Sequence, residues 1–113
     1  MKSGIALYSL EDDGCLNGVF TNDELDGEIN NEIAKLHTEL GEDDDLCGIY
    51  HCFFFDRPEL RNNCELTIDL VPGKEQTYSF TWESEGSVIF SGIGYRMNEK
   101  QVVVHYKYRT YSH

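Results

Sequence analysis

Residues 21–41, TNDELDGEINNEIAKLHTELG, form the stretch that decides the fold, because no other part of the chain has helical periodicity. Five aliphatic residues recur here at spacings of four, four, three and four positions: Leu25, Ile29, Ile33, Leu36 and Leu40. In an α-helix that spacing places them along one side. The sequence therefore predicts an amphipathic helix over residues 21–41.

The ends of this stretch carry signals that start and stop helices. Thr21 and Glu24 have the spacing of a capping box, and Gly41 suits the left-handed residue that often follows a helix. Gly27 is discordant, because a glycine inside a helix costs about 1 kcal/mol relative to alanine. A helix this acidic needs a sheet to cover its apolar side, so we expect the rest of the chain to supply one.

The remaining sequence has the patterns of short strands separated by turns. Alternating or continuously apolar segments predict seven strands, at residues 4–10, 15–20, 46–55, 64–71, 77–83, 88–97 and 101–111. Short turns between the later strands make them antiparallel neighbours, and Gly92 and Gly94 allow strong curvature. We therefore expect a single α+β domain over residues 1–113. Its curved, mainly antiparallel sheet, a meander or a small barrel, should pack against one helix.

The chain of 113 residues has a net charge of −12, and the acidic excess lies in its first half. Residues 1–56 hold 14 acidic and two basic side chains, whereas residues 57–113 hold seven of each. Such a field repels nucleic acids and anionic membranes and favours a basic protein surface or a cationic ligand, although it could serve solubility alone. With no membrane-spanning run and no signal peptide, we expect a cytoplasmic protein with reduced cysteines.

Catalytic and metal-binding patterns are missing from the sequence. No Cys-x-x-Cys pair occurs, and Cys47 and Cys52 should lie on opposite faces of a strand, which argues against structural zinc. His51 and Cys52 are neighbours that point apart in a strand, so we expect no Cys–His nucleophile. Phosphate-binding loops, dinucleotide fingerprints and nucleophile elbows do not occur either. We therefore expect no enzymatic activity, no cofactor and no metal site.

Two groups of residues are candidates for binding. The main hypothesis is that an acidic helix and loop engage a basic protein surface through Asp23, Glu24, Glu42, Asp43, Asp44 and Asp45. The alternative is a small barrel that binds an apolar or cationic molecule among Tyr50, Phe54, Tyr78, Phe80, Trp82, Tyr106 and Tyr108. These aromatic side chains could also form only the core of the sheet.

Self-association is a further expectation from the strand pattern. The apolar strand at residues 46–55 and the tyrosine-rich last strand leave more apolar surface than one helix can cover. A long exposed edge strand also has to be paired or protected. We therefore predict a homodimer whose interface includes residues between Gln101 and Tyr111.

The first half of the chain resembles a known family. Lys2, Ser3, Gly4 and Ile5, then Gly18, then Gly27-Glu28-Ile29, and finally the loop Glu42-Asp43-Asp44-Asp45 before an apolar strand are similar to the small lipocalin-like bacterial regulators typified by GrlR. The resemblance covers about residues 1–55. It implies a dimeric β-barrel that binds a DNA-binding activator, with residues 42–45 as a docking loop.

Overall fold

Eight antiparallel strands close into a barrel in the computed structural model, which describes residues 3–23, 25, 27–40, 46–54 and 64–109. The strands are β1 (Ser3–Leu10), β2 (Leu16–Asn22), β3 (Asn30–Glu39), β4 (Gly48–Phe54), β5 (Cys64–Leu70), β6 (Thr77–Ser84), β7 (Ser87–Arg96) and β8 (Gln101–Tyr108). Each strand pairs with the next along the chain. Pairing of β1 with β8 then closes the sheet, so every strand has two partners.

Even-numbered residues of most strands point into the barrel, because side chains alternate between the two faces of a strand. The interior is filled by large aromatic side chains that lie beside glycines. At Gly94, for example, the ring of Phe80 occupies the space of a side chain, since a Cβ on this residue would lie 2.5 Å from that ring. Small and large residues that alternate in this way fill the narrow interior of a small barrel.

The predicted helix over residues 21–41 is wrong, and with it the α+β fold class. Within the described residues of this stretch, Thr21 and Asn22 end β2, a turn segment follows, and residues 30–39 form β3. The chain is an all-β barrel in the part that the structure describes.

The five aliphatic residues of the predicted helical stripe do not share one buried face. Leu25 and Leu36 are half-buried and pack against the core, whereas Ile29 is 67 % exposed and Leu40 is 46 % exposed. The helix-start signal is also absent, because the hydroxyl of Thr21 donates to the carbonyl of Glu28 across the loop at 2.8 Å. Glu24 and Gly41 lie outside the described residues.

Gly27, discordant in a helix, is explained by the turn between β2 and β3. Its φ is +88°, in the left-handed region that side chains other than glycine disfavour. Two backbone hydrogen bonds shape this loop, from Leu25 N to Asn22 O at 3.1 Å and from Glu28 N to Leu25 O at 3.0 Å. The glycine therefore fits a turn.

The closed sheet also changes the basis of the predicted homodimer. Both edges of β8 are hydrogen-bonded within the chain, to β1 and to β7, so β8 has no free edge for a second copy to extend. A dimer that uses residues 101–109 would have to use the outer face of the sheet. Residues 110–113 lie outside the described part of the chain.

Candidate functional site

A cavity lies inside the barrel near the end at which β2 finishes and β3 begins. The lining residues come from β1, β2, β3, β6, β7 and β8: Tyr8, Phe20, Asn22, Glu32, Trp82, Phe90 and Tyr106. The volume is about 20 Å³, which is enough for about one water molecule. The cavity combines aromatic walls with one carboxyl group.

Glu32 is the charged residue of this cavity, and it is only 2 % exposed. It lies on β3 opposite Gly18 of β2, and Gly18 in turn lies opposite Tyr8 of β1. A Cβ at Gly18 would come within 2.5 Å of the Tyr8 ring. The missing side chain therefore lets the ring of Tyr8 cross β2 and reach Glu32.

Three donors point at the Glu32 carboxyl group. The Tyr8 hydroxyl donates to Oε1 at 2.6 Å, and Trp82 Nε1 donates to Oε2 at 3.2 Å. The thiol of Cys52 provides a third side-chain hydrogen bond. Because both oxygens accept hydrogen bonds, these three donors favour the carboxyl group in its ionised form.

Burial acts against that ionised form. Burial raises the pKa of the Glu32 carboxyl above its ordinary value, although the hydrogen bonds from Tyr8, Cys52 and Trp82 each lower it. Burial, followed by the charge of Glu32, raises the pKa of Tyr8 well above its ordinary value, so this hydroxyl remains a donor. None of the described residues that line the cavity is a Lys or Arg.

Aromatic rings surround the mouth of the cavity. Trp82, Phe90 and Tyr106 contact one another, with ring centroids 5.7–6.0 Å apart. Tyr106 also accepts a hydrogen bond from the Asn22 side chain at 3.0 Å. Phe20 and Phe90 are buried but have the largest exposed fraction of the aromatic residues that line the cavity, 7 % each.

The predicted aromatic group is divided by the structure. Of its members whose side chains the structure describes, Trp82 and Tyr106 line the cavity, and Phe80 packs between Tyr8 and Trp82 in the middle of the barrel. Tyr50 and Tyr78 lie toward the other end, where the Tyr50 hydroxyl donates to Leu46 O at 2.7 Å and that of Tyr78 accepts from Arg96 at 3.4 Å. Tyr108 is half-buried with its ring centroid 4.8 Å from that of Phe90, and the side chain of Phe54 lies outside the described part.

The predicted acidic group is not assembled by a helix. Asp23 is exposed in the loop after β2, where its Oδ2 accepts a hydrogen bond from Ser3 N at 3.2 Å. Glu24, Glu42, Asp43, Asp44 and Asp45 lie outside the described residues.

Sequence reasoning misses Glu32, which is the centre of the cavity, together with Tyr8, Phe20, Asn22 and Phe90. A signal for the aromatic members exists, since Tyr8 and Phe20 occupy inward positions in segments with strand patterns. Glu32 gives no such signal, because it lies in the segment with helical periodicity.

The four cysteines do not form disulfides in the structure. Cys52 and Cys64 are buried and lie directly opposite each other on β4 and β5.

In the part of the chain that the structure describes, no three His, Cys, Asp or Glu side chains are grouped to hold a metal ion. Nor do the described residues include a helix long and apolar enough to span a membrane.

The chain matches no protein-family model, no curated protein and no solved structure.

Proposed function

We propose that this protein is a non-enzymatic barrel that binds a small organic cation with an apolar body, at the cavity beside Glu32. The observation that carries the proposal is a buried carboxyl group among aromatic rings, with no cationic side chain among the described lining residues. An ammonium group in this cavity would supply the missing opposite charge.

The surroundings of Glu32 favour a cation over a neutral or anionic ligand. A buried carboxylate without an opposite charge is costly, and a cation nearby favours its ionised form. The faces of Trp82 and Tyr106 add cation–π attraction, which is strongest where water is excluded. An anion would be repelled by Glu32 and by the net charge of −12.

The size of the cavity sets what must happen when a ligand enters. A volume of about 20 Å³ admits a group the size of water or ammonium. A longer apolar body must therefore displace a ring that lines the cavity, and Phe20 and Phe90 are the lining aromatic residues with the largest exposed fraction. Affinity should consequently depend on the length of the apolar chain.

The only tryptophan of the chain, Trp82, reports on this cavity directly. We would titrate the protein with alkylammonium ions from methylammonium to hexylammonium and follow Trp82 fluorescence, with hexanol as the neutral comparison. We expect a saturable change for the cations, with tighter binding as the chain lengthens, and a weaker response to hexanol. Lowering the pH until Glu32 is protonated should weaken the binding of the cations and leave the binding of hexanol unchanged.

Two variants separate binding at the cavity from general attraction to an acidic protein. Glu32→Gln should lower hexylammonium affinity by about tenfold or more, because it removes the buried charge. Glu65→Gln, which removes a carboxylate from the exposed outer face of β5, should leave that affinity unchanged. An equal loss of hexylammonium affinity in the two variants would contradict the proposal. So would the absence of a saturable fluorescence change of the wild type with any of the cations.

A further inference from the structure

Six apolar side chains lie on the outer face of four neighbouring strands, which is unusual for a sheet whose other face is already the core. In the closed barrel β7, β8, β1 and β2 lie side by side. We call the outward apolar side chains of these strands the outer apolar face, which consists of Ile5, Leu7, Val19, Ile93, Tyr95 and Val103.

Strand register makes this face continuous. One row runs across all four strands, because Tyr95 lies opposite Val103, Val103 opposite Leu7, and Leu7 opposite Val19. The adjacent row consists of Ile93, His105, Ile5 and Thr21. Directly opposed side chains in an antiparallel sheet are about 5 Å apart at Cβ, so the apolar groups touch across the strands.

In the part of the chain that the structure describes, this face is exposed and a partner could reach it. Tyr95 is 53 % exposed and Ile5 is 51 % exposed, while Val19 and Ile93 are about two-fifths exposed. Contiguous exposed apolar patches mark interaction sites more often than isolated apolar residues do.

The charge distribution indicates which partner fits. β1, β2, β7 and β8 contain no Asp or Glu, although the chain has 21 acidic residues. The charged residues of these strands, apart from histidine, are Arg96 and Lys107. Acidic side chains lie instead on the exteriors of β6, the strand next to β7, and of β5 beyond it, at Glu83, Glu65 and Asp69.

We propose that a second copy of this chain covers the outer apolar face, in a twofold homodimer. Two molecules of charge −12 repel each other, so a stable contact has to avoid acidic side chains, and this four-strand face does so. A basic protein would gain more at the acidic loops, and an anionic membrane would be repelled. A twofold contact pairs the same patch on both copies, which suits an apolar patch that contains no acidic side chain and includes a tyrosine.

Sedimentation velocity and light scattering on the full chain at micromolar concentrations test the interface. We expect twice the 13.0 kDa mass of one chain for the wild type. Ile5→Glu and Tyr95→Glu should each raise the dimer dissociation constant by about tenfold or more, since each variant introduces two charges into a twofold interface.

Ile29→Glu is the matched control. It replaces an exposed isoleucine by the same acid and changes the net charge equally, but it lies in the loop between β2 and β3. It should leave the dimer intact. A wild-type mass of one chain, a dimer that survives both Ile5→Glu and Tyr95→Glu, or a dimer that Ile29→Glu disrupts equally would each overturn the proposal. Circular dichroism of all three variants shows whether each still folds.

Discussion

At the scale of single residues, Glu32 should make the stability of the barrel depend on pH. Burial raises its pKa in the folded state above the unfolded value, so the folded protein binds this proton more tightly. The contribution of Glu32 to stability is therefore fully present below the unfolded pKa and is lost as pH rises through the folded pKa. We expect the free energy of unfolding of the wild type, minus that of Glu32→Gln, to fall as pH rises from about 4 through the folded pKa.

The glutamine variant can keep the local hydrogen bonds. Its amide oxygen can accept from Trp82 Nε1, and its NH₂ can donate to the Tyr8 hydroxyl, which turns to act as acceptor. Urea denaturation at a series of pH values gives the difference in stability. The same series on Glu65→Gln controls for an exposed carboxylate. A difference between wild type and Glu32→Gln that stays constant with pH would show that Glu32 does not titrate differently in the folded state.

The sequence predicts two aromatic residues of the cavity, Trp82 and Tyr106, but not Glu32 at its centre, and the reason is physical in each case. Trp82 and Tyr106 belong to strands with clean alternation, so their inward direction follows from the pattern alone. Glu32 is one of 21 acidic residues in the chain, and a glutamate is normally solvated. Its burial depends on donors from β1, β4 and β6, which are distant in sequence and meet only in the closed barrel.

At the scale of elements, β3 shows where sequence patterns fail. The other seven strands follow apolar alternation or apolar runs, and the structure has a strand at each of those places. β3, NNEIAKLHTE, is rich in residues that disfavour strands, and its Ile33 and Leu36 are spaced as in a helix. A register shift between Leu36 and Thr38 further breaks the alternation. Pairing with both β2 and β4 outweighs these local preferences.

Replacing Gly27 by alanine distinguishes a turn from a helix in residues 21–41, because the change in the free energy of unfolding should have opposite signs in the two cases. Its φ of +88° is strained for alanine, and a Cβ added here would meet no atom of the described residues within 4 Å, so the expected effect of Gly27→Ala is backbone strain. We expect a loss of about 1 kcal/mol in the free energy of unfolding, measured by urea denaturation. In a helix the same change would stabilise the protein by about 1 kcal/mol.

Gly73→Ala is the matched control, because Gly73 also has a positive φ, +78°, and open space around it. Both variants should be destabilised by similar amounts. A Gly27→Ala protein more stable than the wild type would mean that residues 21–41 do form a helix in solution.

At the scale of the whole molecule, closure of the barrel depends on the pairing of β1 with β8, which brings distant parts of the chain together. Ser9 and Gln101 are direct partners in this pair, and both face outward at the end of the barrel away from the cavity. Cysteines at these two positions should therefore form a disulfide under mild oxidation, identified by peptide mapping. The bond would close a loop of about 90 residues and raise the free energy of unfolding by about 2–4 kcal/mol.

The control for this cross-link places one cysteine on the far side of the barrel. Ser9→Cys combined with Thr67→Cys places the two cysteines on β1 and β5, which are not neighbours in the closed sheet, so no intramolecular disulfide should form between them. If cysteines at positions 9 and 101 both remain open to alkylation after oxidation, β1 and β8 are not adjacent. In that case the sheet is open, Tyr8 and Tyr106 no longer face one cavity, and the outer apolar face loses its continuity between β8 and β1. The cross-link therefore tests the geometry on which both the cation site and the dimer interface depend.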